Sequence, residues 1–591
     1  MANEISSSTP ATVDSATPTP ATPATPAPPT EIQGSTVPPG APAATTTALP
    51  SGISRSTQDL FRSGDVSISR ETTTAPGGPF AGTPTNQMQY GDMVVINTGA
   101  GDDRVNVAQR KDGTLDVDVN GQKYHITLAP GQELGVRSGD GNDVVRAAAN
   151  VSVNMDVYGG AGNDTITTGK GRDRVDGGAG NDIINTGAGR DDVFGGAGND
   201  TIDAGSGHDV VYGGDGNDIL RGGKGRDYIE GGAGNDVMEG GTGNDVLSGG
   251  LGDDTLRGDN GNDRVYTGAG KDTVDNKSGN DVVYGQTADD TMTAAKGAKN
   301  TVTNVDMTTT LGSSITVTGS AEFQQRINAD IEMLRSSPDG RQMLSQLDAT
   351  GKSLTISELP NIRNGGATPA GGGNFLQTVT APDGTTSVVP GTGTNSSIAF
   401  NPSNHDDRFP NSVVVLYHEM SHAYNHMTGT RQQGTNTGAG IDNGTNNREM
   451  QAVGLNNSGL SFNFPGGTGA TTTNPAALTE NGLRGEMGLP LRPSYNFTTT
   501  GPSAWTGGLG SPDSATPAKT GDASLDRMIN AAQSGNREAL NAAQTDLRNS
   551  PAGQQFQQDG AAAAERTAPK QPTAAAPQPE PEAASAGGQR R

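Results

Sequence analysis

Cysteine is absent from the 591 residues, tryptophan occurs once and histidine only six times. Without thiols there is no disulfide framework and no thiolate nucleophile or metal ligand. Aromatic residues make up 4% of the chain and hydrophobic residues 31%, so much of it cannot bury an ordinary core. No run of about 18 apolar residues occurs, which excludes a membrane-spanning helix. Positive charge is also short. The formal net charge is −25, which argues against nucleic acid or an anionic membrane as partner and suits a binder of cations. The first stretch, "MANEISSSTPATVDSATPTP", has neither a basic start nor an apolar segment, so no Sec signal peptide is expected.

Glycine is what the chain has instead, with 88 residues beside 35 prolines. Residues 1–87 are Ser/Thr/Pro/Ala-rich and read as a disordered leader. Residues 88–158 alternate apolar and polar positions around "DG" and "NG" turns, the pattern of a small β cap. From Gly159 to Thr293 the chain divides into fifteen gapless nonapeptides of the type "GGAGNDTIT". Position six is Asp in all fifteen, and position eight is Ile, Val, Leu or Met in all fifteen. Weaker copies precede them at 98–107 and 138–145.

Each nonapeptide has glycines for a tight turn, one aliphatic residue to point inward from a short strand, and one carboxylate at the turn. Two nonapeptides make a coil, so turns stack in two columns about 4.8 Å apart. Stacked carboxylates and backbone carbonyls suit a hard cation with 6–8 oxygen ligands, which is calcium. The pattern is the nonapeptide signature of a calcium-binding parallel β-roll and resembles the RTX repeats of secreted toxins and proteases. Several structural calcium ions are expected, at Asp164, Asp182, Asp200, Asp218, Asp236, Asp245, Asp254, Asp263 and Asp281. The segment holds 25 acidic and 11 basic residues, a net −14, so it should loosen without cations. Position five alternates Asn163, Arg172, Asn181, Arg190, Asn199, His208, Asn217 and Arg226. Two readings stay open: the arginines partly replace a metal in their column, or position five faces solvent.

Residues 315–497 change to mixed helix and strand signals. Segment 320–350 has helical periodicity broken at Pro338-Asp339-Gly340. "KSLTISEL" and "SSIAFNP" read as strands, the second as an edge strand for an extended substrate, and 364–374 and 380–395 read as loops. "VVVLYHEMSHAYNHMTG" begins a helix near Asn411 or Ser412. His418 and His422, four apart, share one helical face, and Glu419 stands where a general base is needed. One catalytic zinc is expected on the two histidines. Asn425 and Thr428 stand where an extended metzincin motif needs Gly and His, so that class is excluded, and His426 is too far along the helix. The third ligand is Glu449, near the start of the next helical pattern, with Asp442 as the second candidate.

The stretches "SIAFNP", "VLYHEMSHAYNHMTG", "REMQAVGL" and "LTENGLRGEMGLPLRPSY" together resemble the NleD type of zinc metallopeptidase effector, delivered by type III secretion. The resemblance places the family's zinc ligands on His418, His422 and Glu449 and its catalytic glutamate on Glu419. "RPSY" is similar to the RxxY of clostridial neurotoxin light chains. That likeness implies roles for Arg492 and Tyr495 in steadying the oxyanion and positioning the catalytic elements. It also implies a host protein substrate, a signalling kinase among the family's targets, and secretion, with type III delivery into a host cell as the family's route. A monomer is expected. Residues 498–520 read as a linker, 521–566 as a small helical module and 567–591 as a disordered tail. The expected architecture is multidomain: a parallel β-roll (RTX solenoid) followed by an α+β zincin-like metallopeptidase domain, with disordered termini. A second reading is a calcium-binding surface or adhesion protein whose peptidase-like domain is inactive.

Overall fold

The structure is a computed structural model. It describes residues 29–36, 42–48, 54–75, 88–276, 278–294, 300–307, 310–359, 366–369, 375–403, 411–438, 442–464 and 469–494. A β-solenoid of about 9 turns runs from 134 to 304 and is followed by a small α+β region. The coil therefore extends past 159–293 at both ends. Neighbouring turns whose repeat signature has decayed still pair in parallel, as Met155–Ala161 does with Glu133–Asp140.

Successive nonapeptides feed two opposed parallel sheets in alternation. Pairing advances by eighteen residues per coil, so Val175 faces Val193 and Val193 faces Val211 in one sheet, and Ile184 faces Ile202 in the other. The position-eight side chains meet between the sheets in one closed apolar stack. Glycine is required at the turn. Gly198 has φ 133°, and a Cβ there would lie 1.9 Å from the carbonyl oxygen of Gly180 in the coil before it.

The outward faces of the two sheets differ. One carries a row of alternating sign, with Asp203 beside Arg221, Arg221 beside Glu239, and Glu239 beside Arg257. Arg221 pairs with Glu239 at 3.0 Å and Arg257 reaches Asp275 at 3.6 Å. The other face carries Phe194, Tyr212 and Tyr266 at position nine, with Val210, Tyr228 and Val246 at position seven. All six are buried in a single core with the α+β region.

That region begins with strand Ile315–Thr318. Helices α1 (Ala321–Ser336) and α2 (Pro338–Ala349) follow. Ser337 ends the first and caps the second, accepting the Gly340 N–H at 2.8 Å, and Pro338 takes the first position of α2, where its missing N–H costs nothing. Strands Ile315–Thr318, Leu354–Glu358 and Ser396–Phe400 lie parallel, and Gly366–Pro369 closes the sheet antiparallel to the last. Helix α3 (Ser412–Thr428) packs on this sheet, and helices α4 (Asn447–Val453) and α5 (Glu480–Glu486) pack on α3.

Three expectations need correction. Residues 1–87 are not disordered throughout: Ser54–Ser63 and Val66–Ala75 form a hairpin that pairs with Met88–Asn97. Leu60 and Ile68 are buried in the roll's core, and the β-branched threonines that resembled low complexity are good strand formers. Ser396–Phe400 is an interior strand, bonded on both sides, and the edges among the described strands are Ile315–Thr318 and Gly366–Pro369. The two stretches read as loops also hold strands: Gly366–Pro369 in the first, and in the second Thr386–Val389, which forms a hairpin with Gln377–Thr380 just before it. The linker, helical module and tail of 498–591 lie outside the described residues.

Candidate metal centres

In the roll, most position-six carboxylates have one oxygen committed and one left over. The Asp182 Oδ1 accepts the Asp164 N–H at 2.7 Å, Asp200 accepts Asp182 at 2.8 Å, and Asp218 accepts Asp200 at 2.7 Å. The second column repeats this, with Asp263 accepting the Asp245 N–H and Asp281 accepting the Asp263 N–H, both at 2.9 Å. The other oxygen, Oδ2, is buried without a hydrogen-bond partner at Asp164, Asp182, Asp200, Asp218, Asp236, Asp245, Asp254 and Asp263. Asp173 and Asp290 differ. The Oδ2 of Asp173 accepts the Gly169 N–H, and that of Asp290 accepts from Thr267 and the Gln286 N–H. A file of buried, half-satisfied carboxylate oxygens is the feature a bound cation completes.

Position five lies toward solvent in the Asn column. Asn199 is exposed and Asn217 half-buried, and Asn181 Oδ1 accepts the Asn199 N–H and Asn199 Oδ1 the Asn217 N–H, each at 2.7 Å. In the other column burial pushes Asp191 up to about 8, with Arg172 pulling against it. Asp191, Asp209 and Asp227 also keep a buried Oδ2 without a hydrogen bond, so the arginine column retains the cation-seeking feature.

Burial pushes Asp164, Asp182, Asp200 and Asp263 up to about 7, helped by the facing carboxylates. An acid with a raised folded pKa stabilises the fold when protonated, and this is lost as pH rises through about 7. Protons therefore substitute in part for cations. Freed of divalent ions, the full chain should show more β signal and a higher melting temperature near pH 5 than near pH 8. Calcium should abolish the difference. A cation-free roll that is least ordered at the acid end would contradict this.

The second centre stands on α3. The Asn411 side chain accepts the Val414 N–H at 3.3 Å to start the helix, and Gly429 at φ 72° ends it. Three successive valines are poor helix formers, but Ser412–Met427 are buried without a break, so packing decides. His418 and His422 lie one turn apart with ring centroids 4.8 Å apart. Glu449 on α4 faces both: its Oε2 is 3.1 Å from His422 Nε2 and 3.6 Å from His418 Nε2. The three donor atoms lie within 4.8 Å of one another. A buried polar web fixes α4 against α3. Gln451 donates to the Thr430 carbonyl at 3.0 Å and to Asn474 Oδ1 at 3.1 Å, and Asn425 donates to the same Asn474 oxygen at 2.7 Å.

Behind His418 stands a residue the sequence reading did not single out. Glu480, fully buried at the first position of α5, lies 2.9 Å from His418 Nδ1. Arg484 and Arg492 pair with it at 3.2 and 2.9 Å. Burial would raise the Glu480 carboxyl, but the His418 bond and the two guanidiniums hold it below the usual range. Burial lowers His418, yet hydrogen bonds to Glu449 and Glu480 carry it up to about 10. Donating its Nδ1–H to the Glu480 carboxylate leaves His418 with Nε2 directed at Glu449, where a metal would displace the Nε2 proton. The sequence carried only a partial signal, a Thr cap, an acid at the first helical position and Arg four residues on, which marks a helix start but not what Glu480 faces. Glu480→Gln should weaken metal affinity about 10–100-fold with the far-UV spectrum unchanged, measured by competition with a chromophoric chelator. Undiminished affinity would reduce Glu480 to a packing role.

Of the residues singled out beforehand, His418, His422 and Glu449 converge, and Glu419 lies beside them, nearly buried. Asp442 is outside the cluster. His426 is buried elsewhere, 3.1 Å from Ser396 Oγ, and burial followed by nearby cationic groups takes it down to about 3. Arg492 reaches the site through Glu480. Tyr495 lies outside the described residues.

Residues 312–495 match the peptidase M91 family model, described as an effector protein. Segments between 158 and 298 match the RTX calcium-binding nonapeptide repeat. No curated protein matched the chain.

Proposed function

We propose that this chain, which joins a peptidase M91 effector domain to calcium-binding RTX repeats, is a secreted zinc endopeptidase that cleaves a host protein. The observation that carries the reading is the convergence of two imidazoles and a carboxylate beside Glu419. Two histidines and one glutamate suit zinc and leave a fourth tetrahedral position open. When bound, zinc polarises the scissile carbonyl and lowers the pKa of water to about 7. Glu419 takes the proton of the attacking water and hands it to the leaving amine. Glu480 holds His418 in the tautomer that offers Nε2, and Arg484 and Arg492 keep Glu480 ionised. Tyr495, three residues past Arg492, is assigned the oxyanion by its place in RxxY. Of the sheet's two edges, Gly366–Pro369 is the one packed beside α3, and there an extended substrate would add a strand.

The intact ligand set and its buried support favour activity over a decayed, adhesive domain. The test is cleavage of host cell proteins, signalling kinases first, by the zinc-loaded full chain in calcium. Loss on removing zinc and recovery on restoring it supports the reading. A zinc-loaded chain that cleaves no protein in such an extract overturns it.

A further inference from the structure

The face of the roll that carries Tyr212 and Tyr266 is a wall of the peptidase core, and two of its polar joints reach α3 and α5, the helices of His418 and Glu480. Phe194, Val210, Tyr228 and Val246 share one buried cluster with Phe323, Ile327 and Ile331 of α1 and Val413 and Val414 of α3. Three joints cross this wall. Arg326 of α1, 1% exposed, pairs with Asp192 of the roll at 2.6 Å. Asp330 of α1, fully buried, accepts from Tyr212 at 2.7 Å and from Ser412 at 2.9 Å, and the Tyr212 and Ser412 hydroxyls touch. Ser412 is the first residue of α3, six positions before His418. Arg264 and Tyr266 hold Glu486, the last residue of α5, at its carbonyl (2.9 Å) and its carboxylate (3.0 Å). The first residue of that same helix is Glu480, on His418 Nδ1.

Each roll residue in these joints lies within three positions of a cation-seeking Asp: Asp192 beside Asp191, Tyr212 after Asp209, Arg264 and Tyr266 after Asp263. The turn that takes the cation and the strand that grips the helix are one short segment. If the turn is loose, Tyr212 and Tyr266 have no fixed place. The start of α3 and the end of α5 then lose their partners together.

Resting on the reading above, we propose that Tyr212, Arg264 and Tyr266 are positioning residues through which calcium in the roll sets the affinity of the HExxH site for zinc. The chain is then a peptidase that assembles its metal centre where calcium is plentiful and loses it where calcium is scarce. Linkage makes the effect reciprocal: zinc on the histidines tightens calcium in the roll.

The test uses the full chain, purified free of metals, and reads zinc affinity by competition with a chromophoric chelator, with and without about millimolar calcium. Zinc bound away from the site is subtracted with Glu449→Ala. Coupling of this kind is typically about 5–150-fold. Tighter zinc binding in calcium, within that range, supports the proposal, and equal affinity overturns it. The double variant Tyr212→Phe with Tyr266→Phe keeps both rings and removes both hydroxyls. Its calcium-induced β signal should persist while the effect of calcium on zinc shrinks. A fully retained effect overturns the assignment to these residues. Hydrogen exchange on the unmodified chain covers a variant that does not fold. Protection at 412–418 and 480–486 should fall on calcium removal, and unchanged protection overturns the proposal. None of these readouts needs hydrolysis. A chain that shows the linkage but cleaves nothing keeps this inference and loses the proposed function.

Discussion

Glu419→Gln is expected to cut peptide hydrolysis by about 10²–10⁴-fold, the usual contribution of a positioned general base, while the metal content stays at that of the unaltered chain. The substitution keeps the size of the side chain, which matters because Glu419 is 8% exposed on a helix buried along its length. It removes the basic oxygen and nothing that ligates: the converging donors belong to His418, His422 and Glu449. Turnover and metal analysis on the same preparation check it. Turnover within tenfold of the parent would assign the base to another residue.

Glu449→Ala is expected to take bound metal from about one per chain to near zero at micromolar concentrations, because two imidazoles alone are a poor zinc site. Asp442→Ala should leave it in place. Glu449 is held well below the ordinary carboxylate range; burial works against this, and His422 and His418 overcome it. Cation contact is thus built into its position. It also comes from a short helix anchored through Gln451, so the substitution should spare the fold. Retained metal in Glu449→Ala together with loss in Asp442→Ala would reverse the ligand assignment.

What was readable in the sequence was whatever repeats or sits at a fixed spacing. Position six and position eight recur every nine residues, and each has one physical job, so the coil could be drawn from them. His418, Glu419 and His422 lie within five residues of one helix. Glu449 needed only the next helical pattern. Glu480 was harder, because its role depends on α5 folding back behind α3, which no local pattern encodes. The hairpin at 54–75 was masked by its own composition: Ser and Thr suit a flexible leader, and Thr suits a strand equally. Gly366–Pro369 was masked by glycine. The aromatic wall was overlooked for a different reason. Phe194, Tyr212 and Tyr266 recur on a period of eighteen, and a search on nine averages them with the polar residues of the opposite sheet.

That period of eighteen also limits how the gene can change. Losing one nonapeptide would leave every Asp column and every inward aliphatic intact, yet send all later strands to the opposite sheet. Tyr266 would then face away from α5, and Asp275 from the charged row would take its place. Losing two nonapeptides restores the face but, between Tyr212 and Tyr266, shortens a span of three coils, about 14 Å, that α3 and α5 must match. Copy number among natural alleles should therefore vary by even counts of nonapeptides. The variation should fall outside 192–266, where recombination between near-identical repeats leaves the helices' footing untouched.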